Sequence, residues 1–313
     1  MAMTCPTPSD ANKQPRSDEQ TMTIFAMPKA FAGHISTIQK NAIRSWARLR
    51  PVPEILLFGD EPGIREMAEE IGARHIPQVD RNEFGTPLVN KLFQAAEAHA
   101  SHTVLAYVNA DMILFQSFLQ GVQKVRTQLS TFLLIGQRWD IPILEEIDFH
   151  HPRWQGLLQK QMEEHAMLHA ECGLDYFVFP KGLYREIPLF AIGRTVWDNW
   201  LVMAPHTYGA PVVDGTAFIT AVHQDHDYEH VTGGRQEAWK GLEATRNREL
   251  VGTIGNSGRA SGATWILNAE GELLPVPPRE SCHLTTKYRD ERVAWLLKQA
   301  EWLVTAGRRE LAA

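Results

Sequence analysis

The sequence predicts an α/β fold built on a mostly parallel sheet with helices on both faces. Short apolar runs of the kind buried on two sides recur at residues 21–27, 54–60, 103–109 and 131–138, and stretches with apolar residues at helical spacing separate the first three. Buried-type strands alternating with helices of about 10–15 residues are the signature of such a sheet. The composition agrees: 313 residues, 44% apolar and 22% charged, describe an ordinary folded chain and exclude collagen-like, coiled-coil or wholly disordered sequences.

The elements follow in order. TMTIFAM (21–27) reads as a buried strand ended by Pro28, and residues 36–49 place Ile38, Ala42, Ile43, Trp46 and Leu49 on one helical face. EILLFGD (54–60) is a second strand stopping at Gly59-Asp60, and GIREMAEEIGA (63–73) is a helix closed by Gly72. HIPQV (75–79) is a short strand, 86–100 an amphipathic helix, and TVLAYVN (103–109) a strong strand running into Asn109-Ala110-Asp111. TFLLIGQR (131–138) is a further strand, and the apolar stretches GLDYFVFP (173–180) and AFITAV (217–222) come after it. Beyond residue 233 the chain turns polar: one helix over 233–250, a Gly/Ser-rich loop, a hairpin over 264–276 turning at residues 268–271, and an amphipathic terminal helix over 289–304. Residues 1–20 are polar and rich in Pro, Asp and Gln, the composition of a disordered tail.

Several function classes drop out early. The net charge of −6 lacks the basic excess of non-specific nucleic-acid binders, so no nucleic-acid partner is expected. Cys5, Cys172 and Cys282 are odd in number and far apart, which fits neither a disulfide framework nor a CxxC zinc site. With no apolar run near the roughly 20 residues that span a bilayer and no secretory core at the start, a cytoplasmic protein is expected. Its membrane contact is at most peripheral, because the terminal helix mixes Asp290, Glu291 and Glu301 with its bases. The loop after the first strand, PKAFAGH, has only Gly33, which excludes the GxGxxG and GxxxxGK[ST] phosphate cradles. No GxSxG or HExxH occurs.

In sheets of this kind ligands bind beyond the carboxyl ends of the strands, here residues 28–33, 59–60, 109–111 and 137–140. An acid two positions after a polar residue at such an end can put an oxygen on a divalent cation that neutralises a diphosphate. In isolation Asn109-Ala110-Asp111 reads as a turn or a helix cap. The context that changes this is the order of elements before it. From about residue 21 to 111, strand, loop, helix, strand ending in Asp60, helix and strand resemble the nucleotide-binding half of GT-A-fold nucleotide-sugar glycosyltransferases, family 2-like, with the variant Asn-Ala-Asp in place of DxD.

The resemblance implies that Pro28 and its neighbours contact the nucleobase and Asp60 the base or ribose. It further implies that Asn90, Asn109 and Ala110 line the nucleotide pocket and that Asp111 binds Mn²⁺ or Mg²⁺. Several GT-A families add a late histidine to the metal, and His223, directly after the apolar run, is the best placed of His223, His226 and His230. Asp198 lies between Trp197 and Trp200; carboxylates beside aromatic rings suit sugar recognition, and burial there raises the pKa of a base. The resemblance assigns Asp198 as the base that deprotonates the acceptor; otherwise the two indoles are core residues and Asp198 a cap. GLDYFVFP resembles the strand and loop that carry donor-sugar and acceptor contacts in this fold, with Asp175 available to sugar hydroxyls, and Arg138, Asp140 and Arg194 either hold the sugar or phosphates or form structural ion pairs. His165 and His169 share a helical spacing that suits zinc or two satisfied histidines.

The expected protein is a glycosyltransferase: a GT-A-like catalytic domain over 21–235 and a C-terminal extension over 236–313 packed on it. It moves a sugar from a nucleoside diphosphate sugar to a hydroxyl acceptor, a glycan or a small molecule, with metal dependence and inversion. The alternatives are a sugar-phosphate nucleotidyltransferase, for which PKAFAGH supplies only Lys29 as a basic residue, and a non-catalytic nucleotide- or glycan-binding protein.

Overall fold

A computed structural model describes residues 21–226, 234–251 and 258–277. The N-terminal tail over 1–20 and the helix expected over 289–304 lie outside the described residues.

The first half alternates strictly. β1 (Thr23–Ala26), α1 (Gly33–Ala47), β2 (Glu54–Phe58), α2 (Ile64–Ile71), β3 (Arg74–Ile76), α3 (Val89–His99) and β4 (Val104–Val108) follow one another. α2 ends as read, on Gly72 in the left-handed region at φ +70°. The middle adds β5 (Met112–Leu114), α4 (Gln116–Arg126), β6 (Leu133–Ile135), β7 (Trp139–Ile141), α5 (Trp154–His165), β8 (Met167–Leu168) and β9 (Tyr176–Pro180). The last part holds α6 (Trp197–Thr207), β10 (Val212–Asp214), β11 (Ala221–Gln224), α7 (Gly234–Lys240), α8 (Leu242–Val251), β12 (Trp265–Leu267) and β13 (Leu273–Pro275).

Among the described residues, nine strands form one sheet in the order β13-β12-β10-β6-β9-β4-β1-β2-β3. β1 pairs in parallel with β2 and β4, β2 with β3, and β10 with β6 and β12; β9 runs antiparallel between β4 and β6. The mostly parallel α/β class predicted from the sequence is the one observed. Its strands are buried on both faces because successive side chains point to opposite sides. Ile24 joins Trp46, Leu57 and Phe118 in one core, while its neighbour Phe25 joins Phe93, Leu105 and Phe177 in the other. α1, α2 and α4 cover the first face, and α3 and α6 the second. A small second sheet, β5-β11-β7-β8, sits beside the end of β4.

Two sequence readings change and a third is extended. The helix expected over 233–250 is two, α7 and α8, parted at Gly241. His165 closes α5, whereas His169 lies past β8, so the two do not share a helical face. The hairpin at 264–276 is present, with Gly271 at φ +78°, and β12 extends the main sheet through its pairing with β10. No helix among the described residues is long and apolar enough to cross a membrane.

Candidate functional site

Gln39, Asn41 and Ser45 of α1 are all buried despite their polarity. Each holds a strand end or the loop beyond it, Gln39 by bonding the Lys29 backbone. Ser45 Oγ accepts from the Leu114 amide at 3.0 Å, and Trp46 Nε1 donates to the Met112 carbonyl at 2.8 Å. Asn41 Nδ2 donates to Gln224 Oε1 at 3.0 Å, and Gln224 Nε2 donates to the carbonyls of Ile38 (2.8 Å) and Asp111 (3.1 Å). The turn Asn109-Ala110-Asp111 and the end of β11 are thereby fixed to α1. Buried polar groups satisfied in this way hold one arrangement, since any alternative leaves a donor or acceptor unpaired.

That turn opens onto a cavity of about 1910 Å³. Asp111 reaches it from the end of β4, His223 from β11, and His226 from just beyond β11. His226 Nε2 lies 3.1 Å and His223 Nε2 3.9 Å from Asp111 Oδ2. The ligand atoms of this trio all lie within 4.8 Å of one another. Asp111 Oδ1 is buried and, among the described residues, has no hydrogen-bond partner. Burial, the largest influence, pushes the Asp111 pKa up, but the hydrogen bond from His226 and the charges of His223, His226 and Lys29 outweigh it and hold the carboxyl below its usual range. A carboxylate oxygen left unpartnered among the described residues beside two imidazoles is a donor set that fits a divalent cation.

A network behind the trio orients it. Asp140 Oδ1 lies 3.0 Å from His223 Nδ1, which turns Nε2 toward Asp111, and Asp140 Oδ2 is 2.5 Å from His169 Nδ1. Arg138 Nε donates to Asp140 Oδ1 at 2.9 Å, and its guanidinium also bonds Asp175 Oδ2. Asp140 is held well below the usual carboxylate range, because His169, His223 and Arg138 outweigh the opposing effect of burial. Gly173 makes room for His169: a Cβ there would sit 2.2 Å from the imidazole.

Asn109 faces away from cation chemistry. Its backbone N–H donates to the Asp175 carbonyl at 2.9 Å and its Nδ2 to Asp175 Oδ1 at 2.5 Å, continuing the β4–β9 ladder past Val108 and Tyr176. An aspartate at 109 would set two carboxylates against each other across the strands. Asn109→Asp is therefore expected to lower stability by about 1–3 kcal/mol. Asn109→Asp combined with Asp175→Asn is expected to recover most of that loss; urea melts of the single and double variants measure both.

Asp198 opens α6 and lines the same cavity. Burial pushes its pKa up to about 7, with the Asp175 charge adding to the rise while nearby backbone N–H groups and Arg138 oppose it. The preceding Val196 holds φ +72°, a left-handed conformation that a β-branched residue adopts at a cost of about 1–3 kcal/mol. This strained residue sets the direction in which α6 starts.

The remaining sequence-derived residues are placed as follows. Pro28, Asn109, Ala110, Arg138, Asp175, Arg194 and Trp197 line the cavity; Asp60 and Asn90 do not. Asp60 bonds Arg81 at 2.8 Å, and Asn90 is buried at the start of α3 with Oδ1 unpartnered. Arg194 pairs with Glu243 at 2.6 Å on the cavity wall. Trp197 packs edge-on against Tyr107 at 5.5 Å and is only 6% exposed, so most of its ring belongs to the core. His226, weighed beside His223 as a metal ligand from the HQDH run, lines the cavity, as does His169, paired in the sequence reading with His165; Lys29 also lines it and was assigned no role there from sequence.

No protein-family model matches the chain, and no curated protein matches it. Solved structures similar to it include S. aureus TarS 1–349, at TM-score 0.38 and 11% identity over 66% of this chain and 58% of that one. Another is the mannosyltransferase PcManGT from Pyrobaculum calidifontis in complex with GDP-Man and Mn²⁺, at TM-score 0.39 and 12% identity over 64% of this chain and 56% of that one. TarS 1–349 in complex with UDP is similar at TM-score 0.31 and 11% identity, over 39% of this chain and 36% of that one. The chain spans less than two thirds of the length of each.

Proposed function

We propose that this chain transfers a sugar from a nucleoside diphosphate sugar to a hydroxyl acceptor, with the 21–235 region as the catalytic unit. The observation that carries the reading is a single cavity lined both by a carboxylate–imidazole trio with a carboxylate oxygen unpartnered among the described residues and by a carboxyl whose pKa burial pushes up to about 7. The first suits a metal-bridged diphosphate and the second a general base.

In this reading Asp111, His223 and His226 hold the cation, and a set with two imidazoles favours Mn²⁺ over the all-oxygen preference of Mg²⁺. When bound, the metal supplies charge neutralisation for the leaving diphosphate. Asp140 keeps His223 turned toward it. Asp198 accepts the acceptor's hydroxyl proton while that oxygen bonds the anomeric carbon; the bond from that carbon to the phosphate oxygen breaks, and its electron pair leaves with the diphosphate. Attack opposite the leaving group inverts the anomeric centre.

A thermal-shift panel of nucleoside diphosphates with and without Mn²⁺ tests the reading, since a ligand that binds only the folded state raises its Tm. At least one diphosphate is expected to raise Tm further when Mn²⁺ is present. No metal-dependent shift with any of them overturns the site, and pyrophosphate release from a nucleoside triphosphate plus a sugar phosphate would establish the nucleotidyltransferase instead.

A further inference from the structure

We infer that Lys29 is a built-in cation for the phosphate oxygens of the bound nucleotide, acting beside the metal; this rests on the glycosyl-transfer reading above. Lys29 lies in the loop after β1 and lines the same cavity as Asp111. Its backbone is clamped at both polar groups: the Lys29 N–H donates to Gln39 Oε1 at 2.6 Å, and Gln39 Nε2 donates to the Lys29 carbonyl at 2.9 Å. Gln39 is itself buried on α1, so this loop residue is held as firmly as the helix.

The ammonium, by contrast, is given nothing to bind. Among the described residues it makes no hydrogen bond and no ion pair, although burial depresses its pKa and Asp111 is the carboxylate whose charge counteracts this. A half-buried group with three N–H donors and no protein acceptor leaves those donors to a ligand or to water in the cavity. Charge balance says which ligand. A divalent cation at Asp111 would use up that carboxylate's charge and leave the Lys29 ammonium as uncompensated positive charge on the same cavity, which a multivalent anion offsets. A diphosphate carries that charge. The start of α1 adds to the same field: Ala32 offers no side-chain cap, the first turn has no acid, and Ala32, Gly33 and His34 line the cavity.

Inorganic pyrophosphate, which removes any dependence on the base, is the probe, titrated calorimetrically into the full chain with Mn²⁺ and again in EDTA. The wild type is expected to bind in both conditions, more tightly with Mn²⁺. Lys29→Met is expected to lose about 10-fold or more in each, the weight of a hydrogen bond to a charged group, while Lys29→Arg stays within about 3-fold. Lys29→Gln is titrated in parallel and is expected to follow Lys29→Met, so the result does not depend on one variant folding. Unchanged pyrophosphate affinity in Lys29→Met or Lys29→Gln, with tighter Mn²⁺ binding, overturns the inference and leaves Lys29 as a neutraliser of Asp111. A wild type that binds no pyrophosphate in either condition removes the nucleotide reading and this inference together.

Discussion

Asp111→Asn is expected to abolish the Mn²⁺-dependent part of the thermal shift and to lower turnover by on the order of 10²–10³, the scale seen when one strong electrostatic contact to developing charge is removed. The change is isosteric, and the backbone of residue 111 is held by Gln224, so the fold should persist. What is lost is the anionic oxygen that accepts no hydrogen bond among the described residues. Asp140→Asn should act more mildly, about 10–100-fold in Mn²⁺ affinity, because it only orients His223. Full Mn²⁺ dependence in Asp111→Asn would place the cation elsewhere.

Asp198→Asn is expected to reduce turnover by about 10²–10⁴ with little change in nucleotide affinity, since a base that acts on the acceptor does not touch the diphosphate. The pH dependence follows from burial. A base whose pKa is pushed up to about 7 is protonated in acid, so kcat/KM of the wild type should climb through pH 7 and level off above it. The same shift fixes the sign for stability. The unfolded chain releases this proton near the ordinary carboxylate range and the folded protein only near 7, so stability attributable to Asp198 falls as pH rises between those values. Asp198→Asn should therefore melt higher than the wild type at pH 8 and show no such gain at pH 4. A rate profile flat across pH 5–9, or an inactive variant that also melts lower at pH 8, would remove Asp198 from the chemistry.

What could be read in advance was set by distance along the chain. β1, β2 and β4 are long apolar runs and stand out, whereas β5, β7 and β10 are three residues each, too short for any periodicity to declare itself. Asp111 and His223 were visible because each follows an apolar strand. The arrangement between them was not: Asp140 meets His169 and His223 through the small second sheet, and nothing local announces that pairing. The choice of Asn at 109 becomes intelligible only with the antiparallel register of β9, which sets Asp175 opposite it. Trp197 and Trp200 were ambiguous between core and sugar platform, and both are largely buried. Gln39, Asn41 and Ser45 interrupt the hydrophobic face of α1, and a polar residue at a position that helical spacing marks as inward was the available sign of a pinned turn.

The seat of β9 between β4 and β6 also bears on how the chain is made. When residues up to about 165 have left the ribosome, β4 and β6 are both available, yet the strand that joins them has not been synthesised. Two apolar strand edges therefore face solvent during that interval, the condition in which nascent chains pair with the wrong neighbour. A protein truncated before residue 176 should collect in inclusion bodies, while one carrying β9 has its central seam closed before the outer strands arrive.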